Sequence, residues 1–247
     1  HDAASADSVT ERMRRHADQW FNCADWSDEQ LAERIVADEI DILVNLTGYT
    51  DTARAGVYLR KVAPIQVSWC VYTCTMGMDT MDYRLTDEIM CPPESEKFYS
   101  EKLIRVPHSI YFRPWKKSPP IVPTRNATMT FGSRNKFRKV TVDVLSAWTE
   151  ILKAVANSRV NILVDAGECY KLQVLEEFER RGVSRDRVQV VGSQDLENYL
   201  KSFHAIDLHL DTFPMGGGVT TCQSLWMGVP VLAWEGGAES SRMSSMI

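Results

Sequence analysis

The 247-residue chain is short of several features, and each shortage removes a class of function. It has no excess of basic residues: 28 Lys and Arg against 33 Asp and Glu leave a formal net charge of −5. No global positive field therefore draws it to nucleic acid or to an anionic membrane. No apolar run approaches the ~20 residues that a membrane-spanning helix needs. The six cysteines, at 23, 70, 74, 91, 169 and 222, form no CxxC pair and no zinc spacing. Cys70 and Cys74 lie across a strand and a loop, which is no redox motif. Reduced thiols in a cytoplasmic protein are the reading that follows. His204 and His209 do not share a helical face, so no metal pair is expected. There is no GxGxxG, no short-period repeat, no low-complexity tract and no signal-peptide region. The chain begins at His1 and closes on SSRMSSMI within a helical pattern, so a fragment of a longer protein is expected.

What is present is alternation. With 44% hydrophobic residues the chain can bury the cores of two domains of roughly 120 residues each. Residues 8–37 carry helical periodicity, with Ser27 and Gln30 spaced as a capping box. The run IDILVNL at 40–46 reads as a strand buried on both faces. A helix at 52–61 and a strand at 64–70 follow, then strands around Tyr83–Thr86 and Leu103–Val106. Residues 113–126 hold four prolines without periodicity, a linker signature. Beyond it come strands at 127–133, 159–166, 187–193, 205–211 and 230–234. Helices at 141–156, 169–182, 195–203 and 220–227 separate them. Strand and helix alternating at these lengths predict a parallel sheet with right-handed crossovers. The division expected is 1–115, a Pro-rich linker at 116–126, and a Rossmann-like domain at 127–247.

The most informative stretch is AIDLHLDTFPMGGGVTTCQSLWMGVPVLAW, residues 205–234. It reads as strand, glycine loop, helix, strand. A glycine loop entering a helix offers free backbone N–H groups and the positive end of the helix dipole, a setting that holds phosphate. Gly216, Gly217 and Gly218 let the backbone come close to a ligand. Thr220 and Thr221 add hydroxyls, or supply a plain N-cap.

Several strings together resemble one family, the nucleotide-sugar protein O-glycosyltransferases that include O-GlcNAc transferase and the SPINDLY proteins (glycosyltransferase family 41). They are IDILVNLTGYT at 40–50 with AR at 53–54, APIQVSW at 63–69, MDYRLTD at 81–87 and YSEKLIRVPHS at 99–109. TFGSRNKFRKVTVDVLSAWTEILKAVANSR at 130–159 and LDTFPMGGGVTTCQSLWMGVPV at 210–231 complete a collinear match. The resemblance implies an α/β chain of GT-B type, two Rossmann-like doubly wound parallel-sheet lobes, the amino-terminal one incomplete. It implies a metal-independent, inverting transfer of a sugar, GlcNAc from UDP-GlcNAc, to Ser or Thr hydroxyls of proteins. No cofactor or metal enters that scheme. TPR repeats are implied in the full-length protein, and the fragment alone is expected to be inactive.

The same resemblance gives Lys139 the role of meeting the charge of the leaving diphosphate, with Thr220 and Thr221 at the helix end. Tyr49 and Thr50, and the Tyr72–Gly77 loop with Thr75, match segments bordering the donor sugar and the acceptor. Other positions depart from the pattern. Val71, Thr73 and Cys74 replace two glycines and a proline, and β-branched Val71 is poorly suited to positive φ. Tyr199 stands where a histidine aimed at the nucleotide is usual, and Gln223 where an aspartate holds the ribose. Lys136 replaces a glutamine or asparagine, and Val219 directly precedes the threonines. The phosphate grip thus reads as retained and the nucleoside grip as altered. Two alternatives stay open: a catalytically impaired nucleotide-binding or interaction domain, and a GT-B enzyme with another donor or acceptor.

Overall fold

The computed structural model describes residues 6–50, 53–69, 72–122 and 127–247. The chain divides into two compact units, His1–Ile110 and Tyr111–Ile247. Among the described residues no helix is long and apolar enough to cross a membrane.

The first unit opens with α1 (Ser8–Arg14) and α2 (Asp28–Ala37). Asp7 caps α1 through the Val9 and Thr10 N–H groups, and Ser27 and Gln30 form the expected reciprocal capping box. The 8–37 periodicity is thus interrupted between two helices. Then come β1 (Ile42–Asn45), α3 (Ala55–Tyr58), β2 (Ile65–Ser68), β3 (Tyr83–Thr86) and β4 (Lys102–Arg105). They form a parallel sheet in the order β1-β2-β3-β4. Here one expectation is corrected: β1 is not buried on both faces. It lies at the sheet edge, with Ile42 56% and Val44 39% exposed. Leu43, on its other face, packs against Ala32, Val57 and Val62. The apolar run signalled a strand but not its place in the sheet.

The second unit contains β5 (Met129–Ser133), α4 (Val142–Ala154), β6 (Ser158–Leu163), α5 (Glu168–Arg180) and β7 (Val188–Val191). It continues through α6 (Leu196–Lys201), β8 (Leu208–Leu210), α7 (Val219–Trp226), β9 (Val231–Leu232) and α8 (Met243–Met246). All pairings are parallel, in the order β7-β6-β5-β8-β9. Numbered within the unit, that order is 3-2-1-4-5, the doubly wound arrangement. Trp148 and Leu152 of α4, Phe178 of α5 and Val160 and Ile162 of β6 fill one core. Leu200, Phe203, Ile206 and Met227 fill a second on the β8 side.

The order of strands locates the site. Strand order reverses between β5 and β8, and ligands of open parallel sheets bind beyond the carboxyl ends of strands at such a reversal. The segments that leave those two ends are 134–139 and 211–218. They carry Lys139 and the three glycines.

Candidate functional site

The residue that organises this place is Asp211, the first after β8. Its buried carboxylate accepts from Gly217 N at 2.8 Å and from Thr212 N at 2.9 Å. Asn135 Nδ2, from the segment after β5, donates to it at 2.8 Å across the reversal point. Ser244 Oγ donates at 2.5 Å. A hydroxyl has one proton; with Ser244's directed to Asp211, Thr221 Oγ1, 2.9 Å away, donates to Ser244 in turn. Thr221 is buried within this relay, while Thr220 is half-exposed beside it.

The glycine loop is shaped by its own neighbours. A Cβ on Gly217 would stand 2.4 Å from Thr221 Oγ1 and 3.1 Å from Asp211 Oδ1. A Cβ on Gly218 would meet Met243 Sδ at 2.2 Å. Neither glycine has positive φ, so close approach, not turn geometry, excludes larger residues at Gly217, while at Gly218 the flexible Met243 side chain would have to move. Gly216 N donates to Ser240 O at 3.1 Å. Gly218 is the N-cap of α7 and makes no side-chain cap bond. The threonines are therefore not the cap, and the N–H groups of the first helical turn are left for another partner.

Lys139 closes the short 3-10 turn Phe137–Lys139. Its ammonium donates to Gly216 O at 2.7 Å, so it rests on the glycine loop itself. Burial lowers the Lys139 pKa, Asp211 opposes that fall and Arg138 adds to it. Lys136 points elsewhere. It is 69% exposed and pairs with Asp165 at 2.9 Å.

Behind the loop lies a buried frame. Arg134 donates its backbone N–H to His209 Nε2 at 3.1 Å. Its guanidinium binds Ser202 Oγ, Ser202 O and Asn161 O. Burial pushes the His209 pKa down to about 3, with Arg134 adding to the shift. His209 is thus a neutral structural imidazole. On the α7 side, Tyr199 Oη donates to Gln223 Oε1 at 3.1 Å, and the Tyr199 hydroxyl also interacts with the Thr220 side chain. Burial pushes the Tyr199 pKa up to about 12. The two departures from the family pattern thus touch each other.

The first unit gathers its own candidates. Tyr49 Oη donates to Met76 O at 2.7 Å, and the Tyr49 and Tyr72 rings meet edge to face at 5.6 Å. Gly48, at φ 57°, turns the chain over the Tyr72 side chain, where a Cβ would clash. Buried Glu101 fastens the loop from beneath: it accepts from Met76 N and Thr75 Oγ1, each at 2.6 Å. Gly77, also at positive φ, donates to Thr75 Oγ1 at 3.0 Å. Thr50 bonds back to Thr47 O. Arg84 Nη2 donates to Tyr72 O at 2.6 Å. Val71 and Cys70, and residues 123–126 of the proline-rich stretch, lie outside the described residues.

The structure thus brings Lys139, Gly216, Gly217, Gly218, Thr221, Thr220, Tyr199 and Gln223 together in one unit. It brings Tyr49, Tyr72, Thr75 and Gly77 together in the other. Sequence reasoning missed Asp211, Asn135 and Ser244, and likewise Glu101. An acid at the carboxyl end of a buried strand, five residues ahead of the first of three glycines, was the available signal for Asp211.

Known proteins resemble this chain in sequence and in fold. The model of glycosyl transferase family 41 matches residues 3–119 and 121–246. The Arabidopsis thaliana protein named "Probable UDP-N-acetylglucosamine--peptide N-acetylglucosaminyltransferase SPINDLY" is 34% identical over 242 residues, covering 94% of this chain and 26% of that one. The SEC protein of the same plant is 30% identical, covering 93% and 25%. The chain thus spans about a quarter of these curated relatives. A mutant of the Thermobaculum terrenum O-GlcNAc transferase superposes with a TM-score of 0.95 at 31% identity, over 99% of this chain and 48% of its own. Two parallel sheets superposing at that level make the fold GT-B, as the resemblance implied. On sequence and structure alike, the chain belongs to glycosyl transferase family 41.

Proposed function

We propose that the chain is part of the catalytic region of a cytoplasmic protein O-glycosyltransferase that moves GlcNAc from UDP-GlcNAc to Ser or Thr hydroxyls. One observation carries the reading: a half-buried lysine, a glycine loop and an uncapped helix start converge beyond the carboxyl ends of β5 and β8. That is where a diphosphate is bound in such sheets. Lys139 would leave Gly216 O for the diphosphate, with the first-turn N–H groups of α7 and the Thr220 hydroxyl as further donors. Fixed donors aimed at developing charge are often the largest single term in catalysis. Transfer with inversion and without a metal, and TPR repeats elsewhere in the protein, belong to the same proposal.

The names of relatives support donor and acceptor class: SPINDLY and SEC are named for UDP-N-acetylglucosamine and peptide. A second reading, a donor with another nucleoside, is favoured by the Tyr199–Gln223 contact. Calorimetric titration with UDP and GDP tests both. UDP binding above GDP is the expected result. GDP binding above UDP selects the second reading, and no binding by either ends the transferase reading. Mass spectrometry of a peptide pool treated with full-length protein then tests the acceptor.

A further inference from the structure

We propose that Asp211 is the positioning residue of the diphosphate site, fastening the glycine loop from within and serving as the counter-charge of Lys139. The inference rests on the reading above for what enters the site, but its own content concerns the chain alone. No catalytic contact is assigned to Asp211; it acts through the loop and the lysine.

The geometry shows why this carboxylate is more than a turn residue. A carboxylate has about four lone-pair sites, and donors reach Asp211 from four groups on three segments. Asn135 comes from the end of β5, Thr212 and Gly217 from the loop after β8, and Ser244 from α8. Two glycines close on it, since a Cβ on Gly216 would stand 3.0 Å from Oδ2 and one on Gly217 3.1 Å from Oδ1. The Gly217 N–H is thus turned inward, onto the protein's own anion. What remains for an outside anion is the start of α7 and Lys139.

Lys139 is tied to the same carboxylate twice over. It donates to Gly216 O, the carbonyl just before the N–H that Asp211 holds. The charged groups that act on it are Asp211, beyond β8, and Arg138, its own neighbour. An ammonium taken from water needs an opposite charge or it sheds its proton. Asp211 supplies that charge without bonding to the ammonium directly, so the ammonium can move to a diphosphate without leaving a broken ion pair behind. Replacing Asp211 therefore changes the protonation of a residue it does not touch, which a purely structural anchor would not do.

The test uses the chain as it is, without ligand. Protein labelled at lysine Cε with carbon-13 is titrated by NMR, and the Lys139 signal is assigned by its loss in Lys139→Arg. The expected result is a lower Lys139 midpoint in Asp211→Asn than in wild type. An unchanged midpoint overturns the proposal. Because Asp211→Asn risks misfolding, a wild-type measurement stands beside it: Gly217 amide exchange. Protection of Gly217 at least tenfold beyond the rate of an unstructured peptide is expected. Exchange at the unstructured rate overturns the proposal without any variant. UDP is then titrated into the wild type. If UDP fails to bind while both ligand-free results hold, the UDP-sugar reading falls and the role of Asp211 in holding loop and lysine stands. If UDP binds and the Lys139 midpoint does not move in Asp211→Asn, the reading stands and Asp211 is only a loop anchor.

Discussion

In the second unit a loop with three glycines closes on Asp211; in the first a loop of Tyr72, Thr75 and Met76 closes on Glu101. Both acids are buried, and both accept from backbone N–H and from hydroxyl donors, one hydroxyl on Asp211 and two on Glu101. The loops differ in what they expose. The glycine loop brings backbone and a lysine ammonium to its surface. The other rests on buried Met76, Met78 and Met81 and displays two tyrosine rings. The same device, an internal anion, thus supports an electrostatic surface in one unit and an aromatic one in the other. Charge on a ligand belongs with the first kind and the uncharged faces of a sugar with the second.

The division breaks most visibly at Lys139. Lys139→Ala is expected to reduce turnover by at least ~100-fold, the scale of removing one preorganised charged donor. Steady-state transfer by the full-length protein measures it. Tyr49→Phe, which removes only the hydroxyl bonded to Met76 O, should lose less than ~10-fold, as one neutral hydrogen bond does. Equal losses would erase the contrast between the two surfaces.

Acid should separate the units next. His209 is buried neutral, with its pKa pushed down to about 3 from 6.5. Between those values the unfolded chain binds the proton and the folded one does not, so stability is lost as pH falls. It is fully present above pH 6.5. The slope is at most about 1.4 kcal/mol per pH unit, so about 2 kcal/mol is lost by about pH 5. Amide exchange read strand by strand should show β5 and β8 weakening over that window. His209→Gln, which can still accept from Arg134 N, should flatten the slope. A slope unchanged in that variant would remove His209 as its cause.

Much of this was legible in residue order. Strand and helix alternation gave the parallel sheets, and the glycines followed by threonines located the loop at a strand's carboxyl end. Capping at Ser27 and Gln30 followed from spacing alone. What resisted reading is non-local. The exposure of β1 depends on which strands flank it, and an apolar run looks the same at an edge and in a centre. Asn135, Asp211 and Ser244 are far apart in the chain and become a unit only when β5, β8 and α8 meet. The glycines were read as room for a ligand; the structure shows them also making room for Asp211, Thr221 and Met243. Tyr199 and Gln223 were each noted as departures, but their contact joins two helices and has no sequence signature.

Glu101 sharpens the comparison at a smaller scale. Glu101→Gln keeps an acceptor for either Met76 N or Thr75 Oγ1 but not the charge that both share. About 1 kcal/mol of stability should be lost, read as a lower urea midpoint with unchanged slope. UDP affinity should stay within twofold, because the proposed diphosphate donors all lie in the other unit. A tenfold loss of UDP affinity would mean that the aromatic loop handles charge after all, and the contrast would fail from its other side.

The smallest effect is the most discriminating. Tyr199→Phe deletes the hydroxyl that reaches Gln223 Oε1 and Thr220 and leaves the ring against Phe203. If that hydroxyl orients Gln223 and Thr220 for the nucleotide, UDP affinity should fall ~3-fold, within the range of one neutral hydrogen bond. The Lys139 titration should not move, since the Tyr199 hydroxyl bonds to Gln223 while Lys139 bonds to Gly216 O. Tighter UDP binding in Tyr199→Phe would carry the opposite meaning. Tyr199 and Gln223 would then satisfy each other at the ligand's expense, and opening that contact would be a cost of binding. The sign of a threefold change therefore decides whether this pair readies the nucleoside end of the site or blocks it.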